Sequence, residues 1–483
     1  MQFEVINMKG EKILEQYKLL SGLLQVSIIR AGTSNKYRIE ENPLTEKERK
    51  KIDGYIAAFK EANSMGTVMD FESFIRDMDS GAPDEADKYY LNRFYVGMDR
   101  IQPLMHDPRI EDISCESAGS PVYVFLKEYG YIPTNISFES EVILNTFIRK
   151  LVQSGGKQIS VSTPIVETSL PDGSRLQASL GRYVTSRGPS FTIRRFREVP
   201  LSPIDLLNLD TVDSAILAYL WTIVEYGANI MIVGGTATGK TTFLNSILSF
   251  VSPQKKIVTI EDTNELNLKH ENWISTVTRS SVGVSKGYAH GTAIDMFDLL
   301  ESALRHRPNY IILGEVRGGE TFTVFQAMSA GRFGMGTFHA DNMETFVHRL
   351  EAEPISIPRT LLTSLDIVII LSTGYSKGKL QRFVKEVSEI VEIDPGTGEL
   401  ITNKIFKRNN YGEYESSEYS YTFKTISARE GVSYEQLEVE TAQRRKVISR
   451  MKGAGITNFE KAMYVISLYN RSPGKAMELL DIH

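Results

Sequence analysis

The sequence predicts an α/β protein in which a domain with a mostly parallel sheet follows an α+β domain and precedes a helical tail. Residues 204–400 alternate strand-length apolar runs with helical stretches, which is typical of a parallel sheet covered by helices. Upstream, the turn sequences Pro171–Ser174 and Ser186–Pro189 separate short β runs. A glycine-rich pattern at residues 234–241 lies between an apolar strand and a helix. Together these three observations indicate the fold class.

Residues 1–90 are predicted to form an N-terminal accessory region. Gln25–Arg30 has the composition of a strand, and Thr45 and Glu48 have the spacing of a helix capping box. The polar stretch Asp79–Asp87 is predicted to be a linker or a solvated loop.

Residues 91–200 are predicted to form the α+β domain. Pro121–Leu126 has the pattern of a strand, and Val142–Val152 has the pattern of a helix. Two prolines within Arg197–Pro203 stiffen the chain, so the main domain boundary is predicted there. The short strands expected before that boundary are Ile165–Ser169, Leu176–Leu180 and Phe191–Arg195.

Residues 201–400 are predicted to form the parallel-sheet domain, and residues 401–483 a mainly helical C-terminal region. Phe383–Ile393 alternates in polarity and is predicted to add a hairpin at the sheet edge. From Thr441 to His483, eight lysines and arginines against three acidic residues give a local charge of +5. That segment fits a solvated helical face or a docking surface. The expected buried strands are Ile230–Val233, Ile257–Glu261, Tyr310–Leu313, Met335–Phe338 and Ile367–Leu371.

The composition excludes several classes of protein. A balance of 55 basic and 60 acidic residues gives a net charge of −5, which disfavours a protein whose main task is gripping nucleic acid. The single cysteine, Cys115, excludes an internal disulfide and a four-cysteine zinc site. No apolar run reaches the ~18 residues of a transmembrane helix, and the first residues lack the apolar core of a signal peptide. We therefore expect a cytoplasmic protein.

The strongest functional signal is the sequence GGTATGKTT, in which four residues fill the pattern G-x-x-x-x-G-K-[ST]. Glycines let backbone N–H groups surround a polyphosphate, and the helix N-terminus adds a positive dipole end. Lys240 would reach the β- and γ-phosphates, and Thr241 would offer its hydroxyl to Mg²⁺. The pattern predicts nucleotide binding, in a motor or in a switch. The expected nucleotide-binding residues of this loop are Gly234, Gly235, Thr236, Ala237, Thr238, Gly239, Lys240, Thr241 and Thr242.

Acidic side chains follow two of the predicted strands. Asn309–Thr321 runs through an apolar strand into Glu315, where a carboxylate can orient the attacking water or take its proton. Glu261, Asp262 and Glu265 follow another buried strand, where three acids suit the water shell of Mg²⁺. Because a helix N-terminus also attracts acids, this second group is ambiguous by itself.

A third strand, within Gly331–Asn342, ends at His339. A lone histidine is more often structural. At the end of a parallel strand close to the phosphate site, it could instead sense the γ-phosphate.

In order and spacing, these motifs resemble the type II/type IV secretion ATPase superfamily, whose members power secretion, pilus assembly and retraction, and archaellum rotation. The superfamily is marked by a phosphate loop, an acidic Asp box, a Walker B strand ending in Gly-Glu and a His box. This chain shows GGTATGKTT, TIEDTNEL, ILGEVRGGET and GTFHADN in that order. Upstream, Asp107–Ser114, Ser162–Leu180 and Gly188–Phe196 resemble strands of the family's N-terminal domain. Pro121–Asn135 and both ends of the chain resemble the archaeal branch.

The resemblance implies a RecA-like P-loop motor domain that binds ATP and Mg²⁺ and hydrolyses ATP. Glu315 would be the catalytic carboxylate, and Lys240, Glu261 and His339 would complete the catalytic set. The expected metal-site residues are Thr241, Glu261, Asp262 and Glu265, the last three acting directly or through water.

In the family, arginines of the N-terminal domain reach the nucleotide when the ring closes. Arg175, Arg194 and Arg195 are the matching residues here, with solvation of a strand edge as the alternative role. Arg305 and Arg317 flank the Walker B strand and would contact phosphate or a neighbouring subunit, unless they are merely structural.

The resemblance further implies a homohexamer, peripheral at the cytoplasmic face of a membrane. ATP would draw the two domains together about a hinge at Val199–Pro203. The rotation would act on a polytopic membrane platform protein and, indirectly, on pilin-like filament subunits. A nucleic-acid translocase and a nucleotide-gated scaffold are the competing classes; no nucleic-acid partner is expected. Archaellum rotation, pilus assembly and secretion stay open.

Overall fold

The computed structural model describes residues 12–64, 84–93, 98–196, 199–278, 294–376 and 379–482. The chain divides into two compact units, Met1–Arg197 and Glu198–His483. This division falls inside the proline-containing segment in which the sequence predicts the main boundary. Within the described residues each unit holds a nine-stranded sheet, and the predicted α/β fold class is confirmed.

The sheet of the first unit is almost wholly antiparallel. Its strands are β1 (Lys12–Leu19), β2 (Leu24–Ala31), β3 (Ser34–Glu41), β4 (Ile110–Cys115), β5 (Pro121–Leu126), β6 (Gly130–Ser137), β7 (Ile165–Ser169), β8 (Arg175–Ser179) and β9 (Ser190–Arg194). They lie in the order β1-β2-β3-β6-β5-β4-β9-β8-β7. The N-terminal three-stranded meander joins the rest through a parallel pairing of Tyr37 with Thr134. The accessory region therefore extends the sheet of the α+β region.

Three of the α-helices that the structure describes in the first unit begin at side-chain caps. Its helices are α1 (Glu46–Ser64), α2 (Glu85–Leu91), α3 (Gln102–Met105) and α4 (Glu141–Ser154). The Thr45 N–H donates to Glu48 Oε2 at 2.7 Å and the Glu48 N–H donates to Thr45 Oγ1 at 3.3 Å, so the predicted capping box is confirmed. The Asp84 carboxylate caps α2. The predicted linker Asp79–Asp87 is therefore wrong in its last residues, which begin a helix; residues 79–83 lie outside the described residues.

The sheet of the second unit is parallel on one side and antiparallel on the other. Its strands are β10 (Ile230–Gly234), β11 (Ile257–Glu261), β12 (Trp273–Val277), β13 (Tyr310–Val316), β14 (Phe333–Phe338), β15 (Ile367–Ser376), β16 (Lys379–Ile393), β17 (Leu400–Arg408) and β18 (Tyr414–Ser416). The order is β12-β11-β13-β14-β10-β15-β16-β17-β18, and the first six are parallel. Because carboxyl ends of parallel strands share one edge, the loops after β10, β11, β13 and β14 gather there.

The second unit ends in helices that pack onto its own core. Its helices are α5 (Pro203–Asn208), α6 (Ser214–Glu225), α7 (Lys240–Ile247), α8 (Met296–Arg305), α9 (Glu320–Ser329), α10 (Met343–Glu351), α11 (Arg359–Leu362), α12 (Tyr421–Glu430), α13 (Tyr434–Gly453), α14 (Phe459–Arg471) and α15 (Pro473–Leu479). Arg444 of α13 is buried, pairs with Glu225 of α6 at 2.6 Å and with Glu440 at 2.5 Å, and lies 5.4 Å over the Trp221 ring. The predicted helical tail is thus fastened to the first long helix of its unit.

Two sequence expectations differ from the structure at the antiparallel side. Phe383–Ile393 does form a hairpin with β15, but it is not at the sheet edge, because β17 and β18 add beyond it. The predicted boundary at residue 400 coincides with the first residue of β17, so the sheet continues into the C-terminal region. In the part of the chain that the structure describes, no helix combines the length and apolarity needed to cross a membrane.

Candidate functional site

The phosphate-loop pattern forms the turn between β10 and α7. β10 is fully buried and pairs in parallel with both β14 and β15, which fixes where the loop emerges. Gly239 has φ +87° and is the N-cap of α7, without any side-chain capping bond. A Cβ on Gly234 would lie 2.6 Å from the Thr238 hydroxyl oxygen, so a residue larger than glycine would clash at this position of the turn. The first N–H groups of α7 can therefore serve a bound phosphate, and the loop fits a nucleotide.

Lys240 is held across this loop by the backbone. Its Nζ donates to the carbonyl oxygens of Gly234 at 2.9 Å and Gly235 at 3.0 Å. Burial lowers the pKa of Lys240, and the nearby Glu315 carboxylate is the largest opposing influence. The other charged groups that act on this pKa are Arg317, Glu265 and Asp341. The structure thus brings together the lysine of the phosphate loop and the carboxylate of the Walker B strand.

Glu315 lies near the end of β13 with its side chain 30% exposed. Arg317, two residues later, donates from Nη2 to Oε2 of Glu315. The next turn is closed by Glu320, whose Oε1 accepts the N–H groups of Arg317 at 2.9 Å and Gly318 at 2.7 Å. The carboxylate is therefore accessible, and its orientation is set by a neighbouring arginine.

Glu261 ends β11 and is buried, with 1% of its surface exposed. Its Oε1 accepts the N–H groups of Glu265 and Leu266, both at 2.9 Å, while its Oε2 has no hydrogen-bond partner among the described residues. Burial raises the pKa of Glu261 to about 7, although the two hydrogen bonds from the backbone lower it. A Cβ on Gly314 would lie 3.0 Å from Glu261 Cγ, so the glycine before Glu315 makes room for this side chain.

The remaining predicted metal residues are more accessible. Asp262 and Glu265 are exposed, and Thr241 is half-buried in the first turn of α7. Within the described ranges, no three or more His, Cys, Asp or Glu side chains are grouped so as to hold a metal directly. Mg²⁺ usually keeps several waters and takes few protein ligands beside substrate phosphates. The residues present fit Mg²⁺ held by the Thr241 hydroxyl and phosphate oxygens, with the carboxylates acting through water.

His339 follows β14 and is half-buried. Its carbonyl oxygen accepts from Arg349 of α10, whose guanidinium lies 5.2 Å over the Phe338 ring. Two residues earlier, the buried Thr337 donates its hydroxyl to the Gly314 carbonyl at 2.6 Å. This hydrogen bond joins the His box to the backbone of the Walker B strand. Contact of the His339 ring with phosphate stays a prediction.

The three predicted arginines all lie in the first unit, on β8 and at the end of β9. Arg175 pairs with Glu167 of β7, and Arg195 donates from Nη1 to the Asp107 carbonyl at 2.5 Å. Arg194 is exposed and forms no side-chain hydrogen bond or salt bridge with any residue that the structure describes. The three candidates are therefore not equivalent, although the contact of any of them with nucleotide stays a prediction.

Two residues at the phosphate loop were missed by sequence reasoning. A Cβ on Gly235 would lie 2.9 Å from Asp341 Oδ1, so this carboxylate borders the loop. Its position two residues after His339 could have indicated it. Arg382 of β16 donates from Nε to the Ala237 carbonyl at 2.9 Å. No local motif marks an arginine 145 residues away in the chain.

The sequence matches a family model described as "Type II/IV secretion system protein" over residues 96–459. An uncharacterized protein of Methanocaldococcus jannaschii is 36% identical over 375 residues, which are 76% of this chain and 67% of the relative. The conjugal transfer protein TrbB of Rhizobium radiobacter is 30% identical over 265 residues, which are 53% of this chain and 74% of the TrbB chain. The family-model match therefore spans the phosphate loop, both acidic strands and the strand that ends at His339.

Among solved structures, the X-ray structure of the Legionella pneumophila ATPase DotB is 16% identical. The overlap covers 76% of this chain and 94% of that one, with a TM-score of 0.44.

Proposed function

The chain belongs to the type II/IV secretion system protein family, and we propose that it is a Mg²⁺-dependent ATPase that works as a homohexameric motor. One observation carries the enzymatic part of the proposal. Lys240 is fastened to the phosphate loop, and the accessible carboxylate of Glu315 lies close enough to act on its pKa. A phosphate-binding cation beside an accessible carboxylate is what hydrolysis of a phosphoanhydride needs.

The residues divide the chemical work. The loop amides and Lys240 bind the phosphates of ATP, and Glu315 orients the attacking water and accepts its proton. Thr241 would hold Mg²⁺, with Asp262 and Glu265 ordering its waters, and the ion would neutralise charge that develops on the phosphates. Glu261 supports the turn that carries Glu265.

The proposed motion is a movement of the two units relative to each other. In this proposal an arginine of the first unit, chiefly Arg194, reaches the nucleotide when the units close about Val199–Pro203. Hydrolysis followed by release of phosphate removes from the site the charge that the arginine binds, so the units separate again. A local contact with phosphate is thereby converted into a rigid-body movement.

The movement is proposed to act at the cytoplasmic face of a membrane, on a polytopic platform protein. The load would be a type IV pilus-like filament, such as a pilus or an archaellum, or a related secretion substrate. The relative in conjugal transfer supports a role in a trans-envelope machine.

The catalytic part is tested with the purified full chain and two variants, Glu315→Gln and Lys240→Ala. We expect the wild type to release phosphate from Mg-ATP. Glu315→Gln should bind ATP with unchanged affinity and turn over about 10²–10⁴-fold more slowly, since it loses proton transfer. Lys240→Ala should lose binding. Turnover in Glu315→Gln equal to that of the wild type would refute the assignment.

The motor part is tested by what co-purifies with Glu315→Gln from native membranes in Mg-ATP, using mass spectrometry and nucleic-acid staining. A polytopic membrane protein with pilin-like or archaellin-like subunits supports the proposal. Nucleic acid without a membrane protein would instead favour a translocase. Native mass spectrometry of the same sample counts the subunits, and a species other than a hexamer contradicts the proposed homohexamer.

A further inference from the structure

Arg382 contacts the phosphate loop although it lies outside the four sequence motifs. It lies on β16, paired across the hairpin with Thr373 of β15, which is the neighbour of β10 in the sheet. Its side chain is half-buried, and its Nε donates to the carbonyl oxygen of Ala237 at 2.9 Å. Its Cδ would lie 3.4 Å from a Cβ on Gly239. Arg382 therefore packs against residues 237–239 of the phosphate loop, which are called its crest below.

The crest that Arg382 contacts has an unfavourable backbone conformation. Ala237 has φ +60° and Gly239 has φ +87°. A residue with a Cβ rarely adopts the left-handed region, so the alanine conformation must be stabilised by its surroundings. The bond from the Arg382 guanidinium is charge-assisted and satisfies the Ala237 carbonyl. It favours the conformation that a polyphosphate requires.

The strand that presents Arg382 is itself fixed on its other side. Gln381 donates from Nε2 to the Asp210 carbonyl at 3.3 Å, and the Val384 N–H donates to the Thr211 carbonyl at 2.8 Å. Tyr414 donates its hydroxyl to the Val384 carbonyl at 2.8 Å. A guanidinium on an anchored strand can hold a loop in one geometry, which a side chain on a mobile loop could not do.

We propose that Arg382 is a positioning residue that keeps the phosphate loop in its nucleotide-binding conformation before nucleotide arrives. The inference rests on the proposed ATPase function and adds a residue outside the four sequence motifs. Loss of the bond lets the crest populate other conformations, and the apparent affinity falls by the fraction of molecules that stay competent. The transition-state contacts of Glu315 and Lys240 are unchanged once nucleotide is bound.

The test compares Arg382→Gln with the full-length wild type in affinity for Mg-ADP and in KM and kcat for Mg-ATP. We expect Kd and KM to rise about tenfold, the effect of losing one charge-assisted hydrogen bond, while kcat stays within about twofold. The melting temperature without nucleotide should change by less than about 3 °C. The matched control is Lys385→Gln, which removes an exposed cation from the same strand and should leave all values unchanged.

A double-mutant cycle with Ala237→Gly separates positioning from direct phosphate binding and from simple loss of structure. Glycine adopts φ +60° freely, so Arg382→Gln in that background should raise Kd less than about threefold. An equal tenfold loss in both backgrounds would overturn the positioning role. So would an affinity in Arg382→Gln like that of Lys385→Gln, or a fall in kcat and melting temperature at constant KM. If the wild type itself binds no nucleotide, the proposed function fails instead, which the same titration reveals.

Discussion

Arg317 donates a charge-assisted hydrogen bond from Nη2 to Oε2 of Glu315, two residues before it on β13. Arg317 is the first residue after the strand, which ends at Val316, so only two positions along the chain separate the two charges. Arg317 is largely exposed, and the ion pair therefore contributes little to stability. The ion pair instead orients the Glu315 carboxylate beside Lys240.

Replacing Arg317 with Gln should slow hydrolysis without preventing ATP binding. Without its partner, the Glu315 carboxylate samples other rotamers, and we expect kcat to fall about tenfold, with KM within twofold. The free energy of unfolding should change by less than about 1 kcal/mol, because the pair is exposed. Steady-state phosphate release and urea denaturation give the two values. A large rise in KM at constant kcat would show that Arg317 binds substrate and does not orient Glu315.

Glu261→Gln should remove part of the pH dependence of stability. The pKa of Glu261 is about 7 in the folded protein, above the ordinary glutamate value of 4.5, so the folded state takes up the proton more readily. Stability from this group is complete below about pH 4.5 and is lost as the pH rises towards 7. Relative to the wild type, Glu261→Gln should gain up to about 3 kcal/mol between pH 5 and pH 8.

The measurement is urea denaturation followed by tryptophan fluorescence, since both tryptophans, Trp221 and Trp273, report on the second unit. Asp366→Asn is the comparison variant, because burial raises the pKa of Asp366 to about 6 and its effect should be complete at a lower pH. A Glu261→Gln difference that is the same at pH 5 and pH 8 would mean that Glu261 stays ionised throughout.

Arg194 is expected to be the arginine of the first unit that matters most for turnover. Being exposed and without side-chain bonds among the described residues, it can be replaced at little cost to the fold. Arg194→Ala should lower kcat by about 10³-fold or more, as loss of an arginine finger does, with the melting temperature unchanged.

Arg175 and Arg195 provide the controls. Arg195→Ala removes the donor to the buried Asp107 carbonyl oxygen, so it should destabilise the first unit by about 1–3 kcal/mol. Arg175→Ala breaks an exposed pair with Glu167 and should cost less than about 1 kcal/mol. Normal turnover in Arg194→Ala together with a 10³-fold loss in a stably folded Arg175→Ala would assign the role to Arg175.

Most strands near the site were predictable, because each buried strand is a short apolar run. β10, β11, β13, β14 and β15 occur where the apolar runs predict them. The antiparallel side was less predictable. β16 alternates as an edge strand would, yet β17 covers it, because pairing between strands depends on contacts that no local pattern records.

The sequence by itself determined the residues to which the proposed chemistry is assigned: Lys240 and Thr241 in the phosphate loop, and Glu315 at the end of a strand. Their roles depend on local geometry, a turn into a helix and a strand end, which a few adjacent residues encode. Only the tertiary structure decided that Glu261 is buried against Gly314, and that Asp341 and Arg382 border the loop. Strand order brings these distant segments to one edge, and burial, which sets the pKa of Glu261, is a property of the packed sheet.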